Sequence, residues 1–227
     1  MISNTEPPVA QREPGTSLRI TEIFCSLQGE SQTVGWPTTF IRLTGCPLRC
    51  NYCDTEYAFR GGVAMSIEAI MDRVAGLGVQ HVTVTGGEPL AQKPVLQLLA
   101  GLADAGYLVS LETSGALAID GVDERVLVVM DLKTPASGEV DKNRYENIAR
   151  LKGADEIKFV ICNREDYEWA CQCMVDHAIV DQCQVLMSPA FGQQDPAQLA
   201  QWILDDRLPV RFQLQLHKVL WGSEPGR

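Results

Sequence analysis

Between residues 18 and 216, short runs rich in β-branched side chains alternate with stretches of helical periodicity, and this alternation restricts the fold more than any other feature. The pattern predicts strands over 18–25, 38–43, 81–85, 107–112, 125–131, 156–161, 184–187 and 210–216. Helices are expected over 66–77 (opened by Ser66 as N-cap), 94–105, 143–151, 164–177 and 196–205. Antiparallel neighbours can join through tight turns, but strands separated by helices need crossovers, so the expected class is α/β with a parallel sheet. Polar and glycine-rich clusters sit just after the strands: Gly86-Gly87-Glu88, Thr113-Ser114-Gly115, Lys133-Thr134-Pro135 and Ser188-Pro189. In barrel-like α/β folds the C-terminal strand ends form the site, so these clusters should converge on one mouth.

At 227 residues and 45% hydrophobic composition the chain has enough apolar surface for one core. The expected organisation is a tail over 1–17, rich in proline and lacking an apolar signal segment, followed by one domain over 18–227. A net charge of −10 argues against a nucleic-acid partner. No apolar run reaches the roughly 18 residues of a membrane span. A cytoplasmic location is the default, where eight cysteines read as thiols or metal ligands rather than disulfides.

Three of those cysteines, Cys46, Cys50 and Cys53, are packed into the segment Gly45-Cys46-Pro47-Leu48-Arg49-Cys50-Asn51-Tyr52-Cys53-Asp54. Structural zinc needs four ligands, and neither a nearby histidine nor a fourth clustered cysteine is present. Three thiolates can instead each hold one iron of a [4Fe–4S] cluster and leave the fourth iron open, unlike electron-transfer clusters with four cysteines. This C-x3-C-x2-C loop, with Tyr52 before its last cysteine, resembles the signature of the radical S-adenosylmethionine (SAM) superfamily. Thr85-Gly86-Gly87-Glu88-Pro89 resembles that superfamily's GGEP motif. The resemblance implies SAM on the open iron, its amino group near Gly86, Gly87 and Glu88, and an incomplete (β/α)6-type partial TIM barrel.

Further segments narrow the resemblance. Leu27-Gln28-Gly29-Glu30, Cys53-Asp54-Thr55, Glu112-Thr113-Ser114-Gly115 and Gln213-Leu214-Gln215-Leu216-His217-Lys218 together resemble the 7-carboxy-7-deazaguanine synthase family. That family is implied to convert 6-carboxy-5,6,7,8-tetrahydropterin to 7-carboxy-7-deazaguanine with loss of ammonia, on the route to queuosine and related 7-deazapurines. The resemblance implies substrate contacts from Leu27, Gln28, Gly29, Glu30, Arg42, Thr113 and His217. It implies SAM contacts from Tyr52, Asp54, Gly86, Gly87, Glu88, Gly115, Asp131, Lys133 and Ser188, and Mg2+ at Thr55. No side-chain general base is expected for hydrogen abstraction. A homodimer and a reductant such as flavodoxin complete the implied partners. Read without the family, Arg42 is equally a surface ion pair, Thr113 and Gly115 a capped turn, and His217 a satisfied histidine. The alternative readings are a small radical SAM activase that makes a glycyl radical on a partner enzyme, and a zinc adaptor. The activase would have no use for Gln28, and the adaptor would be colourless.

Overall fold

The computed structural model describes residues 16–222 together with 224 and 226. The tail expected over 1–17 therefore lies outside the described residues except at its end, where Ser17 already opens the first strand. That strand, β1 (Ser17–Leu27), pairs antiparallel with both β2 (Pro37–Leu43) and β3 (Val63–Ser66). From β2 onward the sheet is parallel, through β4 (His81–Gly86), β5 (Leu108–Thr113), β6 (Leu127–Leu132), β7 (Glu156–Ile161), β8 (Gln184–Pro189) and the two-residue β9 (Arg211–Phe212). The order β3-β1-β2-β4-β5-β6-β7-β8-β9 is that of a partial α/β barrel with an antiparallel extension at one edge.

Alternation along the strands sorts the side chains into two environments. Val82 and Val84 of β4, Val109 and Leu111 of β5, and Ile41 and Leu43 of β2 point outward. They meet α1 (Ile67–Leu77) and α2 (Val95–Asp104) through Ile70, Val74, Leu98 and Leu102. The second half repeats the plan: Met130, Leu132, Ile157, Phe159 and Met187 pack under α3 (Arg164–Asp176) and α5 (Pro196–Asp205). A short helix, α4 (Ile179–Gln182), precedes β8. Many of the inward residues are polar instead, among them Thr83, Ser110, Glu112, Asp131 and Lys158. Gln28 Nε2 donates to Thr83 Oγ1 at 3.0 Å, and Thr83 and Ser110 share a hydroxyl bond of 2.8 Å.

The helix starts follow the expected chemistry. Ser66 Oγ accepts from Ala69 N at 3.2 Å, Asn163 Oδ1 from Asp166 N at 2.9 Å, and Asp195 Oδ1 from Ala197 N at 2.8 Å. Two expectations are corrected. The helix over 143–151 is a 3-10 segment, Tyr145–Arg150, because the buried Asn147 side chain bonds outside it. Its amide donates to Gly115 O and Leu117 O at 3.0 and 2.8 Å, which competes with regular helix formation. The last strand shrinks to β9 and is followed by a helix, α6 (Leu216–Trp221).

The side chains between β9 and α6 are what close the barrel. Gln213 clamps Ser31, its Oε1 accepting from Ser31 N at 2.7 Å and its Nε2 donating to Ser31 O at 3.0 Å. Glu156 accepts from Gln32 N at 3.1 Å and pairs with Arg211 at 3.2 Å. The segment after β1 thus spans the gap that nine unclosed strands leave. No described helix is long and apolar enough to cross a membrane.

Candidate active site

The C-terminal strand ends enclose a cavity of about 470 Å³. One wall is the cysteine loop that follows β2. Buried Leu48 anchors it, and Asn51 ties it to the turn after β6, its N donating to Ser137 O at 2.9 Å and its Nδ2 to Ala136 O at 3.0 Å. Gly86 and Gly87 let the end of β4 touch this loop. A Cβ at Gly87 would lie 2.6 Å from the Gly45 carbonyl carbon and 2.8 Å from Cys46 Cβ, and one at Gly86 would lie 2.5 Å from Leu43 O. Cys46, Cys50 and Cys53 are free thiols that line the cavity. Burial pushes all three up, Cys50 to about 11, while the ammonium of Lys133 pulls the other way.

These residues fit the group that the spacing implies. Among the described residues no three His, Cys, Asp or Glu side chains form a group able to hold a metal ion. A cluster takes one thiolate per iron and spaces its ligands apart. On the same wall Tyr52 Oη is buried without a hydrogen-bond partner among the described residues. A buried orphan of this kind needs a partner from outside, which a polar cofactor supplies. Lys133 lies 3.1 Å from Asp131 and 5.7 Å from the Tyr52 ring centroid.

The opposite wall carries Gln28, Glu30, Arg42, Glu112 and Thr113 over a stacked pair, Phe24 and Phe40, with ring centroids 5.1 Å apart. Arg42 Nε donates to Glu22 at 2.7 Å, and its guanidinium lies 5.9 Å from both the Phe24 and the Tyr57 rings. Glu112 accepts from Gln28 Nε2 at 3.4 Å and from Thr85 Oγ1 at 2.9 Å. Burial, then the neighbouring Glu30, hold its carboxyl above the usual range. At the rim Thr55 Oγ1 donates to Asp54 Oδ1 at 2.8 Å, and Lys218 Nζ lies 3.2 Å from Asp54 Oδ2. The Thr55 proton is thereby turned away and its oxygen lone pairs remain available.

Of the expected site residues, the cavity gathers Gln28, Glu30, Arg42, Cys46, Cys50, Tyr52, Cys53, Asp54, Thr55, Gly86, Gly87, Thr113, Asp131, Lys133 and His217. Leu27, Gly29, Glu88, Gly115 and Ser188 do not line it. Glu88 stands behind the cavity wall. It is fully buried, its Oε2 accepts from Ser114 N at 2.7 Å and Ser114 Oγ at 2.5 Å, and its Oε1 accepts from Leu90 N at 3.0 Å and Thr113 Oγ1 at 2.9 Å. Its carboxylate ties the end of β4 to the end of β5. Gly29 supports the site from behind: a Cβ there would overlap His217 Nδ1 and come within 3.0 Å of His217 Cγ, and Gly29 O accepts from Leu216 N at 3.0 Å. His217 itself stands at the start of α6, not at a strand end. The cavity also holds Phe24, Glu112, Lys158, Gln215 and Lys218, to which the motifs assign no role.

A partial barrel whose first strand ends carry a three-cysteine loop and a GGEP turn on one cavity defines a radical SAM enzyme, and the Radical SAM superfamily profile matches residues 40–162. The chain is 46% identical to a 7-carboxy-7-deazaguanine synthase of Chlorobaculum tepidum, over 91% of this chain and 96% of that one. It is 43% identical to a namesake from Koribacter versatilis, over 91% and 98%. The structure of QueE from Escherichia coli superposes with a TM-score of 0.72 at 26% identity, covering 88% of this chain and 95% of that one. The chain belongs to the 7-carboxy-7-deazaguanine synthase family, whose chemistry rests on a [4Fe–4S] cluster and SAM.

Proposed function

We infer that this chain contracts the ring of 6-carboxy-5,6,7,8-tetrahydropterin to 7-carboxy-7-deazaguanine, releasing ammonia, in 7-deazapurine biosynthesis. The observation that carries the reading is the two-walled cavity. Phe24 and Phe40 with Arg42, Gln28, Glu30 and Glu112 suit a flat, donor-rich heterocycle bearing a carboxylate, and the opposite wall presents the three thiols. When bound, cluster and SAM supply the one-electron chemistry that removes and later returns a substrate hydrogen.

The chain's own residues bind, orient and exclude water. Cys46, Cys50 and Cys53 hold the cluster, while Tyr52, Asp131 and Lys133 supply polar contacts to SAM. Arg42 offers its Nη groups to the substrate carboxylate while Nε stays on Glu22. Gln28 and Glu30 read the heterocycle's polar edge. Thr55 offers a neutral oxygen to Mg2+, suited to an octahedral cation otherwise held by substrate and water. A homodimer and a small acidic electron carrier such as flavodoxin belong to the same proposal.

The test is an anaerobic turnover assay with reductant, SAM, magnesium and the carboxypterin, read by mass spectrometry. Many equivalents of 7-carboxy-7-deazaguanine per SAM are expected. Deoxyadenosine without that product refutes the substrate assignment and leaves the activase chemistry as the reading to pursue.

A further inference from the structure

Lys158 lies on β7 between Ile157 and Phe159, both fully buried in the outer core, so its backbone is fixed and its side chain enters the cavity. Its Nζ lies 2.5 Å from Glu30 Oε2 and 3.4 Å from Asp131 Oδ2. The ammonium therefore stands between the wall assigned to substrate and the wall assigned to cofactor. Glu30 is held on both oxygens, since Gln215 Nε2 donates to Oε1 at 2.7 Å. Its own N–H donates to Gln28 Oε1 at 3.2 Å. With both oxygens fixed, the remaining lone pairs form an acceptor pair of set direction.

Lys158 is surrounded by Glu30 from the loop after β1, Asp131 from β6 and Glu112 from β5, with Lys133 as a second cation nearby. Glu30 is faced in turn by Lys158, by Glu112 and by His217 of α6. Remove the Lys158 charge and two carboxylates, Glu30 and Glu112, adjoin in a buried site. One of them then takes up a proton. A protonated Glu30 would present a donor where the substrate needs an acceptor.

Resting on the substrate reading above, we propose that Lys158 is a positioning residue for the substrate. Through Glu30 it keeps a doubly accepting carboxylate turned toward a ligand with adjacent N–H donors, such as the aminopyrimidinone edge of a pterin. It acts on affinity rather than on the reacting atoms.

The test uses the full chain with its cluster reconstituted, under anaerobic conditions. Affinity for 6-carboxytetrahydropterin, kcat and KM are measured for the parent, Glu30→Gln, Lys158→Met, Lys158→Arg and the double variant Glu30→Gln/Lys158→Met. Losing a hydrogen bond to a charged group predicts that Glu30→Gln and Lys158→Met each bind the pterin about 10- to 100-fold more weakly. In Lys158→Met the kcat at saturation should stay near the parent's, and Lys158→Arg should recover most of the loss in pterin affinity. Because Lys158 acts through Glu30, the double variant should bind within about threefold of Glu30→Gln alone. The acid limb of kcat/KM should move to higher pH in Lys158→Met, a shift that a purely structural role would not produce. Should Lys158→Met fail to fold, the neutral double variant compared with Glu30→Gln decides the matter. Pterin binding by Lys158→Met as tight as the parent's, or a double variant at least tenfold weaker than Glu30→Gln, overturns the inference. A parent that binds no carboxypterin refutes the substrate reading, and the inference falls with it.

Discussion

The contact between Gly29 and His217 joins the segment after β1 to the last helix, and Gly29→Ala tests whether that joint sets the substrate wall. The new methyl would overlap the imidazole at Nδ1 and lie 3.0 Å from Cγ, so His217 and the first turn of α6 must move. Two bonds depend on the present position, Leu216 N to Gly29 O at 3.0 Å and Gln215 Nε2 to Glu30 Oε1 at 2.7 Å. Overpacking of this sort costs about 1–3 kcal/mol, and a chain of this size loses roughly 2–4 °C of Tm per kcal/mol. A drop of about 2–12 °C by circular dichroism is therefore expected. Since Glu30 loses its Gln215 bond, KM for the pterin should rise by about tenfold while iron content stays unchanged. The double variant Gly29→Ala/His217→Ala removes the clash and should regain part of the lost Tm, despite the cavity that the truncated histidine leaves. A single variant with unchanged Tm and KM, or a double variant no more stable than the single, refutes the steric argument.

Cys50→Ala should lose the cluster's brown absorption and its iron and sulfide, together with SAM cleavage, while the apo-protein's circular dichroism stays that of the parent. Glu88→Gln turns an NH2 toward donors that now meet a carboxylate, so it should lower stability by about 2–3 kcal/mol in chemical denaturation. It should do so before any direct effect on SAM contacts, because Glu88 is shut off from the cavity. Glu112→Gln should show a pH-dependent difference from the parent. The folded Glu112 carboxyl is held above its unfolded value by burial and by Glu30, so the parent loses stability as pH rises from the unfolded value through the folded one. The neutral amide does not titrate, and the variant's Tm relative to the parent should climb over that interval and be flat below it.

The fold and site were unequally legible in the sequence, and the reason lies in what each pattern reports. The cysteine loop and the GGEP turn could be read because their chemistry depends on spacing within a few residues. Lys158 could not: in Glu156-Ile157-Lys158-Phe159-Val160-Ile161 the two charged residues alternating with Ile157 and Phe159 read as a solvated face. In this barrel the inner face also carries charged side chains, because it lines the cavity, and periodicity alone does not separate a lumen from bulk water. Gln213 and Gln215 are ambiguous in the same manner. Their alternation with Leu214 and Leu216 imitates a strand, whereas both amides are engaged with Ser31 and Glu30 across the barrel's open edge.

Glu88 shows what spacing leaves out. Its place in a motif beside a ligand site says nothing of the donors from Leu90, Thr113 and Ser114 that its carboxylate accepts. The motif's glycines and its carboxylate therefore divide the labour. Gly86 and Gly87 bring the end of β4 against the cysteine loop, and Glu88 locks the same strand end to Thr113 and Ser114. Thr113 lies on the cavity wall that also carries Glu112. A displaced Glu88 would then disturb the thiol wall and the heterocycle wall together, whereas a displaced Lys158 would disturb chiefly the second. Iron content and pterin affinity, measured side by side in the Glu88→Gln and Lys158→Met proteins, separate these two kinds of support. Glu88→Gln should lower both, and Lys158→Met only the affinity. A Glu88→Gln protein that keeps full iron and weakens pterin binding alone would show that the β4–β5 lock does not reach the cysteine loop.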